Sequence, residues 1–164
     1  MKNIYLLGTL LALGALGCSN VNPRVMTRVN EAASLQGDLP WNPLQWKVIT
    51  SAINKRDATM YTLFGNELAV QYARSSAQHA YPAGAVLSLV TWNQQEDPRW
   101  FGGKIPAAPK SVEFVAVANT LDNKPVFSYQ FYEGTPLKKV SPPEGIVPDQ
   151  RAAYMIAQRA AVMP

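Results

Sequence analysis

The hydrophobic and polar positions of this chain mark out its elements. Trp46 to Ile53 is rich in β-branched residues and predicts a strand. Lys55-Arg56-Asp57 is a polar break, and Thr59 to Phe64 predicts a second strand, so the two form a hairpin. Gly65-Asn66 stops that strand and offers a helix cap. Leu68, Ala69, Tyr72, Ala73 and Ser76 then recur at helical spacing while Gln71, Arg74 and Ser75 face out, which predicts a helix from Glu67 to Ala77. After the turn Tyr81-Pro82-Ala83-Gly84, Ala85 to Trp92 is apolar on both faces apart from small hydroxyls, as a central strand requires.

Asn93 to Lys110 is polar and broken by Pro98, Gly102, Gly103, Pro106 and Pro109. It reads as a long loop, and long loops in small domains tend to be functional. Ser111 to Asn119 predicts a further strand, and Leu121-Asp122-Asn123-Lys124 a turn into Val126 to Tyr132. There Phe127, Tyr129 and Phe131 share one face and Ser128 and Gln130 the other. Gly134 to Pro148 reads as Pro-rich loop. Asp149 then caps a C-terminal helix with the stripe Ala152, Ala153, Ile156, Ala157 and Ala160. Strands joined mainly by turns favour an antiparallel sheet over a βαβ fold. The expectation is an α+β domain of about five antiparallel strands and two packed helices.

Composition narrows the chemistry. The 164 residues are 48% hydrophobic and 16% charged with a net charge of +4, which suits one globular domain. There is one Cys and one His. That excludes a disulfide framework, a closed structural zinc site and the C-x-x-C-H attachment of c-type haem.

The N-terminus reads as an export signal. Lys2 precedes the uncharged run Ile4 to Gly17, long enough for a signal core and short for a bilayer span. Two processing routes fit. Ala15-Leu16-Gly17-Cys18 resembles a lipobox, with Cys18 becoming the lipid-modified N-terminus. Simple cleavage after Ala15-x-Gly17 also fits. The lone Cys at that boundary and the polar stretch Ser19 to Arg24 favour lipidation. The expected organisation is a signal peptide over 1–17, a lipid-anchored tether over 18–38 and a domain over 39–164. Ser19, rather than an Asp after the Cys, points to the outer membrane facing the periplasm.

Candidate site residues are few. His79 follows the first helix; it is a candidate base or haem ligand, weighed against a surface His at a helix end. Glu96-Asp97 are adjacent carboxylates, weighed against a solvated turn at Asp97-Pro98. Lys55-Arg56 and Lys138-Lys139 are too sparse for a nucleic-acid surface, so no nucleic-acid partner is expected. Trp92, Trp100, Phe101, Phe127, Tyr129 and Phe131 could wall an apolar ligand pocket or simply fill a core. No side chain presents itself as catalytic, and none as part of a metal cluster.

Leu39-Pro40, Trp46-Lys47-Val48-Ile49 and Thr59-Met60-Tyr61-Thr62-Leu63-Phe64-Gly65-Asn66 resemble the start of the cytochrome P-460 family domain. The resemblance runs on through Glu67 to Arg74 and Tyr81-Pro82-Ala83-Gly84-Ala85-Val86-Leu87. It is strongest from Leu89-Val90-Thr91-Trp92 to Asp97-Pro98-Arg99-Trp100-Phe101-Gly102. It implies a largely β, often dimeric periplasmic fold, with Val126 to Tyr132 able to supply an interface. Haem-bearing members use a C-terminal C-x-x-C-H and a helix Lys, and handle hydroxylamine or nitric oxide. This chain has no Cys or His after Tyr132, and Arg74 and Ser75 stand where the Lys is wanted. The expectation is a haem-free binding or interaction module in the cell envelope. The alternative is an oxidoreductase-like protein holding haem non-covalently, with His79, Met60 or Met155 as axial ligand.

Overall fold

The computed structural model describes residues 29–75, 81–122 and 124–161. Cys18 and His79, and with them the signal and lipid-anchor assignments, lie outside the described residues. Among those described, six strands form one antiparallel sheet: β1 (Lys47–Asn54), β2 (Thr59–Gly65), β3 (Val86–Glu96), β4 (Lys104–Asn119), β5 (Pro125–Glu133) and β6 (Lys138–Val140). Each strand pairs with the next in sequence, so the sheet is a meander. Helix α1 (Glu67–Arg74) links β2 to β3, and α2 (Pro148–Ala157) follows β6. The α+β class with two helices is as expected.

The strand count is six rather than five. Lys138 to Val140 was expected in loop, but it pairs Lys138 with Glu133, Lys139 with Tyr132 and Val140 with Phe131. Three residues are too short to show a period, and two lysines on an exposed edge strand discourage further pairing. The long loop expected over 93–110 is also largely strand. β3 continues to Glu96 and β4 begins at Lys104, leaving Asp97 to Gly103 as the hairpin tip. The prolines are accommodated by irregular register. Pro109 faces Trp92 and Pro106 faces Gln94, where the pairing shifts. A proline cannot donate to the ladder, and bulges are where a sheet tolerates one.

Side chains alternate across the sheet, and both faces are covered. Leu63, Leu87, Leu89, Val115 and Val117 point to the face packed by the helices, meeting Ala69, Val70 and Ala73 of α1 and Ala152 and Met155 of α2. Asn66 caps α1: its Oδ1 accepts from Ala69 N at 3.0 Å and its Nδ2 donates to the Gly84 carbonyl at 2.8 Å. The helix ends at Arg74, with Ser75 already extended, before the expected limit of Ala77. Its buried stripe includes Val70, while Leu68 is exposed. In α2 the helix starts at Pro148, with Val147 rather than Asp149 as cap. Ala153 and Ala157 face out and Met155 faces in. The stripe is rotated because Arg151 turns toward the sheet.

The opposite face is covered by Ala33 and Leu35, expected to be tether, together with the start of the expected domain. Ala33, Leu35, Leu39 and Trp46 pack on Phe64, Val90, Trp92, Val112 and Phe114. The packed domain therefore begins well before Leu39. Trp92 Nε1 donates to the Ala33 carbonyl at 2.9 Å, and Leu137 N donates to the Gln36 carbonyl at 2.8 Å. Residues 31–46 act as a strap because their few apolar side chains are spaced to reach this face.

The strap crosses Leu137 at Gly37, whose φ is +150°. A Cβ there would overlap the Leu137 carbonyl oxygen and stand 2.7 Å from its amide nitrogen. Backbone cannot yield as a flexible side chain would. Gly37→Ala is expected to destabilise the domain by about 1–3 kcal/mol, with the loss read as a lower thermal midpoint.

Candidate functional site

Polar side chains gather at one end of the helix-covered face. In register across the sheet, Tyr61 of β2 faces Thr91 of β3, Thr91 faces Ser111 of β4, and Ser111 faces Glu133 of β5. The next row inward is Leu63, Leu89, Glu113 and Phe131. Period-two alternation alone puts these eight side chains on one face. Above them pass the segment Pro143 to Val147 and the start of α2. Between sheet and cover lies an open cavity of about 650 Å³, with Thr59, Thr91, Ser111, Glu113 and Phe131 on its floor and Gln150, Arg151 and Tyr154 on its wall.

Glu113 is the anchor of this site. It is 1% exposed in the middle of an apolar strand. Its Oε2 accepts from Tyr129 Oη at 2.7 Å and from Arg151 Nε at 2.6 Å, and its Oε1 accepts from Arg151 Nη2 at 2.8 Å. This is a forked, charge-assisted pair with a third donor. The Arg151 guanidinium carbon lies 5.0 Å from the centre of the Tyr154 ring. The Tyr154 and Tyr61 hydroxyls are 3.0 Å apart, so β2, β4, β5 and α2 are tied into one network. Arg151 is pushed above its ordinary value, first by the hydrogen bond to Glu113.

The tyrosines respond to burial. The Tyr129 phenol is pushed well up, first by desolvation and then by donating to the Glu113 carboxylate. Tyr154 is pushed up to about 12 by burial and then by its bond with Tyr61. Tyr81, beside Tyr72 under the helices, is pushed up to about 12, chiefly by burial. An acid whose folded value lies above its unfolded value of about 10 adds no pH dependence below that value. Above it the unfolded chain ionises and the folded chain does not, so stability falls as pH rises. The domain is expected to lose stability from pH about 10 upward. Absorbance at 295 nm and far-ultraviolet circular dichroism, followed together in an alkaline titration, should report these phenols ionising as the fold is lost.

The residues singled out in the sequence are dispersed. Met155 is buried in the helix-side core, and Met60 is partly buried on the strap side. The two methionines among the axial-ligand candidates therefore lie on opposite faces of the sheet, and neither lines the cavity. Glu96 pairs with Lys104 across the hairpin, and Asp97 Oδ1 accepts from Arg99 N at 2.8 Å within the tip. Lys55-Arg56 lie in the β1–β2 turn and Lys138-Lys139 on β6, at opposite edges of the sheet. Among the described residues no three His, Cys, Asp or Glu side chains group as a metal site would need.

The aromatic set does not wall one pocket. Trp92 is buried on the strap side, and Trp100 and Phe101 stand exposed at the hairpin tip. Phe127 lines a smaller cavity of about 320 Å³ with Tyr72 and Tyr81. Of the expected set, only Phe131 lines the larger one. In β5, Phe131 and Tyr132 are buried within the monomer while Val126 and Phe127 are exposed.

Glu113 and Arg151 were not singled out from the sequence. The signal was present: a carboxylate at an inward position of Ser111 to Asn119 must find a partner. Which partner depends on how α2 docks, and local pattern does not carry that. Comparison with protein-family models gave no match, and comparison with curated proteins gave none either.

Proposed function

We propose that this chain is an exported bacterial lipoprotein whose cytochrome P-460-like domain serves as a haem-free binding module in the cell envelope. The observation that carries the reading is the open cavity of about 650 Å³, with hydroxyls on its floor and the Arg151–Glu113 pair, braced by Tyr129 from behind, in its lining. That volume suits a small organic ligand. A buried, fully bonded polar network holds such a wall rigid. The family reading rests on the residue likeness over about 39–132, whose strongest part spans β3 and the hairpin tip.

The lipid anchor belongs to the same proposal. Acyl chains on Cys18 would hold the domain at the membrane, since each buried methylene contributes about 0.8 kcal/mol. Cys18→Ser is expected to shift the protein from the membrane fraction to an unprocessed or soluble form. Intact mass of the extracted wild-type protein should show an acylated residue 18. A soluble mature chain with a free Cys18 thiol would refute the anchor.

The binding reading is tested by the spectrum of the full chain purified from haem-sufficient cells. The expected result is no Soret band, together with saturable binding of a small polar ligand that perturbs Thr59, Thr91 and Ser111. A stoichiometric Soret band lost on denaturation would overturn the haem-free module in favour of a non-covalent haem protein.

A further inference from the structure

The charge of the cavity selects among ligands. Arg151 is engaged by Glu113, so neither is available as a net charge to a visitor. The remaining lining charges are the carboxylates of Asp57, Glu133 and Glu144 against the single ammonium of Lys110. Among the described residues none of these four forms an ion pair. The lining is therefore net negative, and a cleft with such an excess raises the local concentration of the opposite charge.

The floor gives an independent indication. Thr59 is 5% exposed and Ser111 is 8% exposed, and both line the cavity. Their hydroxyls hydrogen-bond to none of the described residues. Both residues are largely buried but their hydroxyls open onto the same cavity, where they offer places for a ligand's polar atoms. Carboxylates only accept, and hydroxyls can accept, so the set suits a ligand rich in N–H donors. Phe131 and Tyr154 offer apolar contact to a methylene stem, and an aromatic face also attracts an ammonium.

A single metal ion does not answer this arrangement. The carboxylates are not gathered as one ion's ligands, since no such group is found among the described residues. A ligand with separated positive charges does answer it. Resting on the binding-module reading, we propose that the cavity is a receptor site for a small aliphatic polyamine. Its ammonium groups are held by Asp57, Glu133 and Glu144 at the rim and by the Thr59 and Ser111 hydroxyls on the floor.

The test is an amide NMR titration of the full chain with spermidine, and in parallel with a neutral ethylene-glycol oligomer of similar length. The expected result is saturable binding of spermidine with shifts at Thr59 and Ser111. It should weaken about tenfold in the double variant Glu133→Gln, Glu144→Gln, and the neutral oligomer should not bind there. Both glutamates are exposed, so an unchanged thermal midpoint will confirm that the variant is folded. Non-saturating shifts scattered over surface carboxylates, unaltered in the variant, would overturn the polyamine. Saturable binding of the neutral oligomer at Thr59 and Ser111, without spermidine binding, would also overturn it while leaving the binding module standing. Ser111→Leu, which fills the floor, should abolish the spermidine shifts; their persistence would place the amine elsewhere and overturn the site.

Discussion

Arg151→Met is expected to destabilise the domain by about 3 kcal/mol, at the lower end of the roughly 3–5 kcal/mol that follows from breaking a buried ion pair. Glu113 is 1% exposed and would keep only the Tyr129 hydroxyl as partner. The lower end applies because the Arg151 side chain is 32% exposed at the cavity, so water can partly replace it. The complementary change is milder. Glu113→Gln keeps the shape and leaves Arg151 able to turn to the cavity water, at a cost of about 1–2 kcal/mol. The double variant Glu113→Leu, Arg151→Met should recover most of the loss, since a packed apolar pair need not desolvate charges. Urea unfolding midpoints of the three variants test this ordering. Equal losses in Arg151→Met and Glu113→Gln would sink the view that Glu113 is the group in need of a partner.

The sheet was legible in the sequence wherever one strand was long enough to show its period. β1, β2, β5 and the buried halves of β3 and β4 are near their expected bounds because β-branched and aromatic residues fill them. What escaped were the features that a period cannot carry. β6 has three residues and two lysines, so it carries no alternation. The outer halves of β3 and β4 look like loop because of their prolines, and only the partner strand shows that bulges absorb them. The first part of the strap reads as tether because Ala33 and Leu35 are sparse among polar residues. Their burial is decided by the uncovered face of the sheet, a tertiary fact.

The candidate site was less legible, for a related reason. In the sequence, His79 and the Trp residues stand out by their distinctive chemistry. The cavity is instead built from Thr, Ser, Glu and Arg on four strands and one helix, brought together by register. The row Tyr61, Thr91, Ser111 and Glu133 cannot be assembled before the pairing is known, since a slip of one residue would send each to the other face. Only Glu113 announced itself locally, as a charge inside an apolar run.

Phe114→Ala is expected to destabilise the domain by about 3–5 kcal/mol and to loosen the strap along with the core. Phe114 is 1% exposed on the strap side of β4. Its ring centre lies 5.4 Å from that of Trp41, 6.4 Å from Trp46 and 5.6 Å from Tyr132. Trp41 and Trp46 flank the short 3₁₀ turn Pro43–Gln45 at the strap's end, so this ring is where strap and sheet meet. Truncation removes the large transfer energy of a buried ring and leaves a void that three aromatic neighbours cannot all close. Tryptophan emission should shift to the red as Trp41 and Trp46 gain water, at denaturant concentrations below the main unfolding transition. Amide exchange at Leu137, which donates to the strap at Gln36, should accelerate in the same variant. Phe114→Leu keeps most of the volume and should cost roughly 1–2 kcal/mol without the early red shift. Were the strap a passive tether, Phe114→Ala would lower the main transition alone and leave the exchange at Leu137 tied to global unfolding. In sequence the strap precedes β1, so an early loosening would detach it from the sheet while the cavity on the opposite face stays formed.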